Sequence, residues 1–457
     1  MNLARALRFA TSALAGTSVT SSQNNVGTLS LVGAGGKTTA MFQIARELVQ
    51  GKSSSVILTA TAHLGAWQTS MADHHLVTND LNDLDNIPPY GITLITGDIE
   101  NERTKPANQI ILEWLREYTK GRSIPILIEA DGSRQKSLKA PAAHEPPIPE
   151  FTDTVIVVAG LSALGKPLTN EFVHHTEIFS QLSGLQINQP ITPNALIRVL
   201  THPQGGLKNI PPNARRIALL AQADTPELQS IGGNMARPLL DHFDSVIVGA
   251  LEHKSSEQAF QTFEHCAGII LAAGESTRYG SPKQLLDWKG KPFVRQVAET
   301  ALQAGLWPVV VVTGFHAAEI ESVLSGLLVN IVHNPDYQQG QSTSIKAGIK
   351  ALPPNVGASV FLLADQPQIP VEVIRALVES HTQELQPIIA PLVLEERRAN
   401  PVLFDRVTFP DLLKLTGDVG GRAIFDKHRV EYLSWHDDIL LFDVDKPEDY
   451  QRLKDME

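Results

Sequence analysis

Twice along its 457 residues this chain runs an apolar, strand-like segment into a glycine-rich turn and then into helix-forming sequence: TLSLVGAGGKTTAMFQIARELV at 28–49 and GIILAAGESTRYG at 268–280. A turn of that kind ends a strand at the edge of a sheet and leaves backbone N–H groups for an anionic ligand. Two such starts, in a chain too long for a single core, predict two separate units. Around the first lie SSVILTAT, ITLITG, IPILIEA, DTVIVVAG and SVIVGA; around the second lie PVVVVTG, VNIVHN, SVFLLAD, PIIAPLV and ILLFDVD. Short β-branched runs alternating with longer helical segments imply largely parallel, doubly wound sheets. The expectation is therefore α/β: two three-layer domains, at 1–255 and 267–457, joined by a polar connecting helix or linker at 256–266.

Composition narrows the function. A formal net charge of −11 argues against gripping duplex nucleic acid, which needs a basic surface. The single cysteine, Cys266, excludes an intrachain disulfide and any multi-cysteine metal site, and fits a reducing compartment, by default the cytoplasm. At the start, Arg8 and several Thr and Ser residues interrupt the apolar run of MNLARALRFATSALAGTS, so a short helix is expected there rather than an export signal. No stretch approaches the roughly 20 apolar residues of a membrane span, so neither membrane nor nucleic acid is expected as a partner.

The chemistry of the second unit concentrates at 271–290, LAAGESTRYGSPKQLLDWKG. Behind Leu271, the small residues Ala272, Ala273 and Gly274 let backbone N–H groups approach a nucleotide. Arg278 and Lys283 then supply a planar fork and a mobile ammonium, suited to a triphosphate and to departing pyrophosphate. An ordinary strand-to-helix turn with two solvated cations is the plain alternative. In FLLADQPQI at 361–369, Asp365 stands at the carboxyl edge of a sheet, where α/β ligands bind. ILLFDVDKPEDY places Asp443 and Asp445 two apart in an extended run, on one face. Hard oxygens of this kind suit Mg²⁺, although solvated acids at a strand end explain Asp443 and Asp445 equally well.

At this point the motifs LAAGESTRYGSPKQLL, ADQPQ, RRANPVLF, LTGDVGGR and VDKPEDY, in this order, resemble the molybdenum cofactor cytidylyltransferase family over about 267–457. The resemblance implies a Rossmann-like nucleotidyltransferase domain that joins CMP from CTP to the phosphate of molybdopterin and releases pyrophosphate. It implies that Leu271, Ala272, Ala273 and Gly274 contact the nucleotide, Arg278 and Lys283 the phosphates, and Asp365 the metal. GQSTSIKAGI at 340–349 resembles the family's Ser-rich segment, making Ser342 and Ser344 nucleotide candidates, though the same cluster would cap a helix. Asn400, Asp418, Gly420 and Arg422 would form the acceptor side, with Arg422 also readable as a salt-bridge residue. Relatives often carry Gly-His-Pro where this chain has Ala399-Asn400-Pro401, and Met where it has Gln366. An acceptor phosphate is already ionised, so in-line positioning and charge neutralisation suffice without a strong base.

In the first unit, LVGAGGKTT at 31–39 resembles a P-loop, whose amides and Lys hold phosphates while a Thr binds Mg²⁺. The glycine of the standard spacing is replaced by Leu31, so the turn is shorter or differently wound. Gly33, Gly35, Gly36, Lys37, Thr38 and Thr39 are the candidates for a second nucleotide site, beside a Gly-rich turn merely capped by Thr. PILIEADGSRQKSLKAPAAHEPPIP at 125–149 adds Glu129 and Asp131, where such proteins keep a metal-ordering acid, then a dense charged run read as a site-lining loop. With LTATAHL at 58–64 and ALGKPLTNEFVHHTEI at 163–178, these segments resemble the selenium-dependent hydroxylase accessory protein family over about 20–250. That resemblance implies a role in maturing an apo molybdenum hydroxylase. Adjacent histidines at 74–75 and 174–175 are expected to point apart, which disfavours a two-His metal site within either pair. The leading expectation is thus a CTP-using, Mg²⁺-dependent transferase fused to a nucleotide-binding maturation partner. A transferase using GTP, ATP or a sugar phosphate, and a non-catalytic cofactor chaperone, remain the alternatives.

Overall fold

The computed structural model describes residues 1–9, 27–51, 53–251, 260–276, 279–394 and 396–455. It divides into two compact units, the second beginning at Glu264. The α/β expectation holds in both.

The N-terminal unit is built on β1 (Thr28–Gly33), β2 (Ser55–Ala60), β3 (His74–Val77), β4 (Gly91–Thr96), β5 (Ile126–Glu129), β6 (Thr154–Gly160), β7 (Arg215–Ala221), β8 (Ser245–Gly249) and β9 (Phe260–Phe263), in the spatial order β9-β8-β7-β6-β1-β5-β2-β4-β3. All neighbours are parallel except β8 and β9. Residues 260–263, inside the segment read as a connection, are therefore the antiparallel edge of this sheet; residues 252–259 lie outside the described residues. Buried on both faces, β1, β2 and β6 read as near-continuous apolar runs. Helix α1 (Lys37–Gly51) follows β1 directly. Because β1 lies between β5 and β6, the ends of three strands meet at its glycine turn. At the start of the chain the expected short helix is one turn, Leu3–Ala6, capped by the Asn2 side chain.

The C-terminal sheet uses β10 (His265–Ala272), β11 (Val309–Thr313), β12 (Asn330–His333), β13 (Val356–Leu363), β14 (Ile388–Val393), β15 (Arg397–Arg398), β16 (Val402–Asp405) and β17 (Val430–Trp435). Its order is β12-β11-β10-β13-β16-β14-β15, with β17 also on β14. The parallel run ends at β13, because β16 pairs antiparallel with both β13 and β14. Alternation along β10 shows the three layers. Ile270 packs with Val294, Val297 and Ala301 of α2 (Phe293–Gln303). Its neighbour Ile269 packs on the opposite face with Ile345 and Ile349 of α3 (Gln341–Lys350). Each fully buried Ile contributes about 1.5–3 kcal/mol of apolar burial. ILLFDVD is not the strand expected: Asp438–Leu441 form a 3₁₀ turn and 442–445 have no regular structure. Among the described residues no helix is long and apolar enough to cross a membrane.

Candidate functional site

At the carboxyl edge of β10 the chain turns through Ala273 and Gly274 beside a cavity of about 470 Å³. Leu271, Ala273, Gly274, Lys283, Ser344, Asp365, Asp418 and Asp445 all line it. A Cβ on Gly274 would meet nothing nearer than Gln284 Nε2 at 3.9 Å. The fold itself therefore does not require glycine there; the space faces the cavity. Ala272 turns the other way, into the apolar cluster around α2.

Lys283 is the centre of the site. Its Nζ lies 2.8 Å from Asp365 Oδ2 and 3.4 Å from Asp445 Oδ1, with Asp445 reaching in from 162 residues further along. Burial opposes the ammonium charge, but the two carboxylates, Asp365 foremost, outweigh it and hold the lysine above its ordinary range. Asp443 and Asp445 do not share a face of a strand as expected, because the run is irregular. Asp445 meets the lysine, while Asp443 Oδ1 accepts from Gln366 Nε2 at 2.6 Å. Desolvation, then the nearby Asp365 and Asp445 charges, raise the Asp443 carboxyl above the usual carboxylate range despite that bond. Arg278 lies outside the described residues.

The acceptor candidates form a linked edge. Asn400 Nδ2 donates to Gln366 Oε1 at 3.4 Å, and Arg422 donates to Asn400 Oδ1 and to the Arg398 carbonyl, each at 3.4 Å. Arg422 is exposed and makes no salt bridge among the described residues. Asp418 receives the Gln341 N–H at the start of α3, and Gly420 lies against the Gln341 side chain. Ser344 is buried and accepts from Asn334 Nδ2 at 3.0 Å. Ser342 is buried too, and its Oγ has no hydrogen-bond partner.

Sequence reasoning passed over two glutamines. Gln284 donates to the Gly274 carbonyl at 2.9 Å and accepts from Ser276 Oγ, whose oxygen also takes the Lys283 N–H. It thereby fixes the turn to the lysine. Gln366 joins Asp443 to Asn400. Only a polar residue directly after Asp365, where relatives favour an apolar one, hinted at the second role.

The first unit repeats the arrangement in a drier setting. Gly33, Gly35 and Gly36 all have positive φ and carry the chain from β1 into α1 in a tight turn. Gly35 shows why: a Cβ there would lie 2.4 Å from Gly160 N. Lys37 folds back, its Nζ donating to the Gly33 carbonyl at 2.7 Å and standing 3.3 Å from Asp131 Oδ1 and 3.9 Å from Glu129 Oε1. Thr38 Oγ1 donates to Glu129 Oε2 at 2.6 Å, and Gly33 N donates to Asp131. Thr39 is half-buried in the first turn of α1. Glu129 is held above its ordinary range by burial and by Asp131, against the pull of Lys37 and the Thr38 bond. Of the charged loop, Lys139 and Glu145 join this cluster, while Arg134 and His144 are exposed. The two histidine pairs differ. His74 and His75 contact different partners, Tyr90 and Thr96. His174 and His175 instead stack at 3.8 Å, because His175 leaves the strand with φ 59. Burial first, then the charges of His175 and Lys139, push His174 down to about 4. Among the described residues no three His, Cys, Asp or Glu side chains group to hold a metal ion.

Comparison with known proteins places both units. Residues 29–177 match the YqeC protein model, and residues 268–432 match the MobA-like NTP transferase domain. Over 249 residues the chain is 29% identical to protein YqeC of Escherichia coli K12, covering 51% of this chain and 91% of that one. Over 196 residues it is 31% identical to the nicotine blue oxidoreductase of Paenarthrobacter nicotinovorans, covering 41% and 95%. A stretch of 111 residues is 33% identical to the molybdenum cofactor cytidylyltransferase of Escherichia coli K12, covering 24% of this chain and 56% of that protein. The chain thus belongs, through its C-terminal unit, to the nucleotidyltransferases of the MobA-like NTP transferase family, and its N-terminal unit carries a domain that matches the YqeC protein model.

Proposed function

We propose that the C-terminal unit transfers CMP from CTP to the phosphate of a molybdopterin-type cofactor. The observation that carries this reading is the Lys283 ammonium, clasped by Asp365 and Asp445 on the wall of the cavity that begins at Gly274. An acceptor phosphate oxygen attacks the α-phosphorus of CTP, the bond to the bridging oxygen breaks, and pyrophosphate leaves with the electron pair. No strong base is needed. Lys283 turns from its carboxylates onto the departing phosphates, and the turn at Gly274 lets the backbone approach them. Asp365 and Asp445 would hold Mg²⁺, since two convergent carboxylates completed by phosphate oxygens and water are the donors that ion takes. Bound there, Mg²⁺ supplies neutralisation of the phosphate charge. Asn400, Gln366 and Arg422, with the loop through Asp418 and Gly420, would line the acceptor side.

The N-terminal unit is proposed as a second nucleotide site, with phosphates at Gly35, Gly36 and Lys37 and a divalent ion at Thr38 and Glu129. The cytidylated cofactor would pass to an apo molybdenum hydroxylase in the cytoplasm, the covalent joining of the two units raising their effective concentration. The likeness to the cytidylyltransferase supports CTP and molybdopterin. The nicotine blue oxidoreductase, matched along 95% of its length, carries a different name, and this keeps another donor or acceptor as the second reading. Pure protein incubated with molybdenum cofactor, Mg²⁺ and each NTP in turn decides between them: pyrophosphate release is expected with CTP alone. Release with GTP alone refutes the CTP assignment, and nucleotide binding without release refutes transfer.

A further inference from the structure

Lys139 has no role in the reading above, yet its surroundings are not those of a surface charge. It is 8% exposed, and its Nζ lies 3.0 Å from Asp131 Oδ2 and 2.9 Å from Glu145 Oε1 and donates to the Gly132 carbonyl. Lys37, 3% exposed, holds the other oxygen of the same carboxylate at 3.3 Å. Two buried ammonium groups therefore share Asp131, one on each oxygen, beside a glycine turn that opens a 15-residue helix. Burying a charge is costly even when it is paired. With Glu129 and Glu145 the two lysines and three carboxylates form one largely buried ionic cluster beside the turn, where a core with no ligand to hold could have used apolar side chains.

The second lysine is also held in place from outside the turn. It ends the two-residue strand Leu138–Lys139, which pairs in parallel with Val173–His174. The preceding Ser137 carbonyl accepts the Gly160 N–H at the end of β6, the strand whose Val158 carbonyl takes the Ala34 N–H. Lys139 is thus fixed to the same strand end as the turn. If both lysines swing onto an anion, Asp131 keeps the Gly33 N–H at 3.1 Å as its partner.

We infer that Lys139 is a second phosphate ligand of the N-terminal unit, which acts with Lys37 on the terminal phosphate of a nucleoside triphosphate and promotes its hydrolysis. The inference rests on reading this unit as a nucleotide site. In the step, a water oxygen bonds to the terminal phosphorus, the bond from that phosphorus to the bridging oxygen breaks, and the nucleoside diphosphate leaves with the electron pair. The surplus proton passes to solvent. Charge spreads over the terminal oxygens as the bond breaks, and a second cation there stabilises it, as an arginine supplied in cis does in other phosphoryl-transfer sites.

Hydrolysis and transfer give different products, so the intact chain can be assayed. Inorganic phosphate is followed with ATP and with GTP, without pyrophosphatase, for wild type, Lys37→Ala, Lys139→Met and Lys139→Arg, and bound nucleotide per chain is counted by equilibrium dialysis. The expected result is phosphate release that falls about 100-fold in kcat with Lys139→Met while KM moves less than about threefold, with partial recovery in Lys139→Arg. A lysine that merely pins the loop would instead change KM and kcat together, which overturns the inference. Phosphate release lost with Lys37→Ala but kept with Lys139→Met overturns the role of Lys139 and leaves the nucleotide site standing. Two nucleotides per chain without phosphate release overturns hydrolysis. One nucleotide per chain, unaffected by Lys37→Ala, overturns the nucleotide site and the inference together.

Discussion

The two units solve one problem twice, at different depths. Each ends a strand in a small-residue turn, and each holds a lysine between two carboxylates carried by other segments: Lys37 by Asp131 and Glu129, Lys283 by Asp365 and Asp445. The Lys37 side chain is 2% exposed and the Lys283 side chain 15%, while Asp131 is 2% exposed against 56% for Asp445. In the first unit the clasp is part of the core, and a ligand must displace an internal ion pair. In the second it stands at the wall of an open cavity, ready for exchange. The comparison teaches that the same residue types can be set inside a core or at a cavity wall, and that burial decides how much of an ion pair a ligand must displace.

Removing a carboxylate breaks the comparison most sharply. Asp131→Ala removes the carboxylate shared by two buried ammonium groups, leaving Lys139 to Glu145 and Lys37 to Glu129, and should cost about 3–5 kcal/mol of stability, read from urea unfolding. Asp365→Ala, at the more accessible clasp, should cost less than about 1 kcal/mol; equal losses would show that depth is not the controlling variable. Next in size, Lys283→Ala should slow pyrophosphate release by about 10²–10³-fold with an unchanged unfolding midpoint. A rate within a few-fold of wild type would remove the lysine from the transfer step.

The glycines give a smaller contrast. Gly35→Ala forces a Cβ toward Gly160 N at positive φ and should cost about 1–3 kcal/mol. Gly274→Ala meets open space, so stability should stay within about 0.5 kcal/mol while the KM for nucleotide rises; an unchanged KM would show that no ligand approaches that turn. The smallest effect is in pH dependence. The folded protein holds Glu129 above its ordinary 4.5, so it binds this proton more tightly than the unfolded chain does. Stability from this group is therefore greatest below 4.5 and falls as pH rises through the folded value. Glu129→Gln should flatten that fall in urea midpoints measured across pH, and an unchanged slope would assign it elsewhere.

Much of the fold was legible because β-branched runs flanked by turns mark strands buried on both faces. Thr154–Gly160 and Val309–Thr313 are almost wholly apolar, buried throughout, and could be read directly. Arg215–Ala221 escapes the pattern, since two arginines lead it and Ile217 is its one β-branched residue among Ala and Leu, and its place is set by pairing with β6 and β8. ILLFDVD misled in the opposite direction: its apolar content serves packing of Leu440 and Val444, not a strand. In the sites, Lys283 and Asp365 were legible from their motifs, and the structure brings them to 2.8 Å. Gln284 and Gln366 were not, because an amide side chain becomes informative only once its partners are known.

The residues alone determined two α/β units, the positions of both turns, and the chemical character of each: small residues for close backbone approach, a lysine, and acids at strand ends. Those properties follow from local periodicity and side-chain chemistry, which do not depend on distant contacts. Only the folded chain decided that Asp445 joins Lys283 across 162 residues, that Asp443 turns to Gln366 instead, and that Lys139 meets Lys37 on one carboxylate. Charge interactions act through space, and the distance between charged groups far apart along the chain is not written in the order of residues.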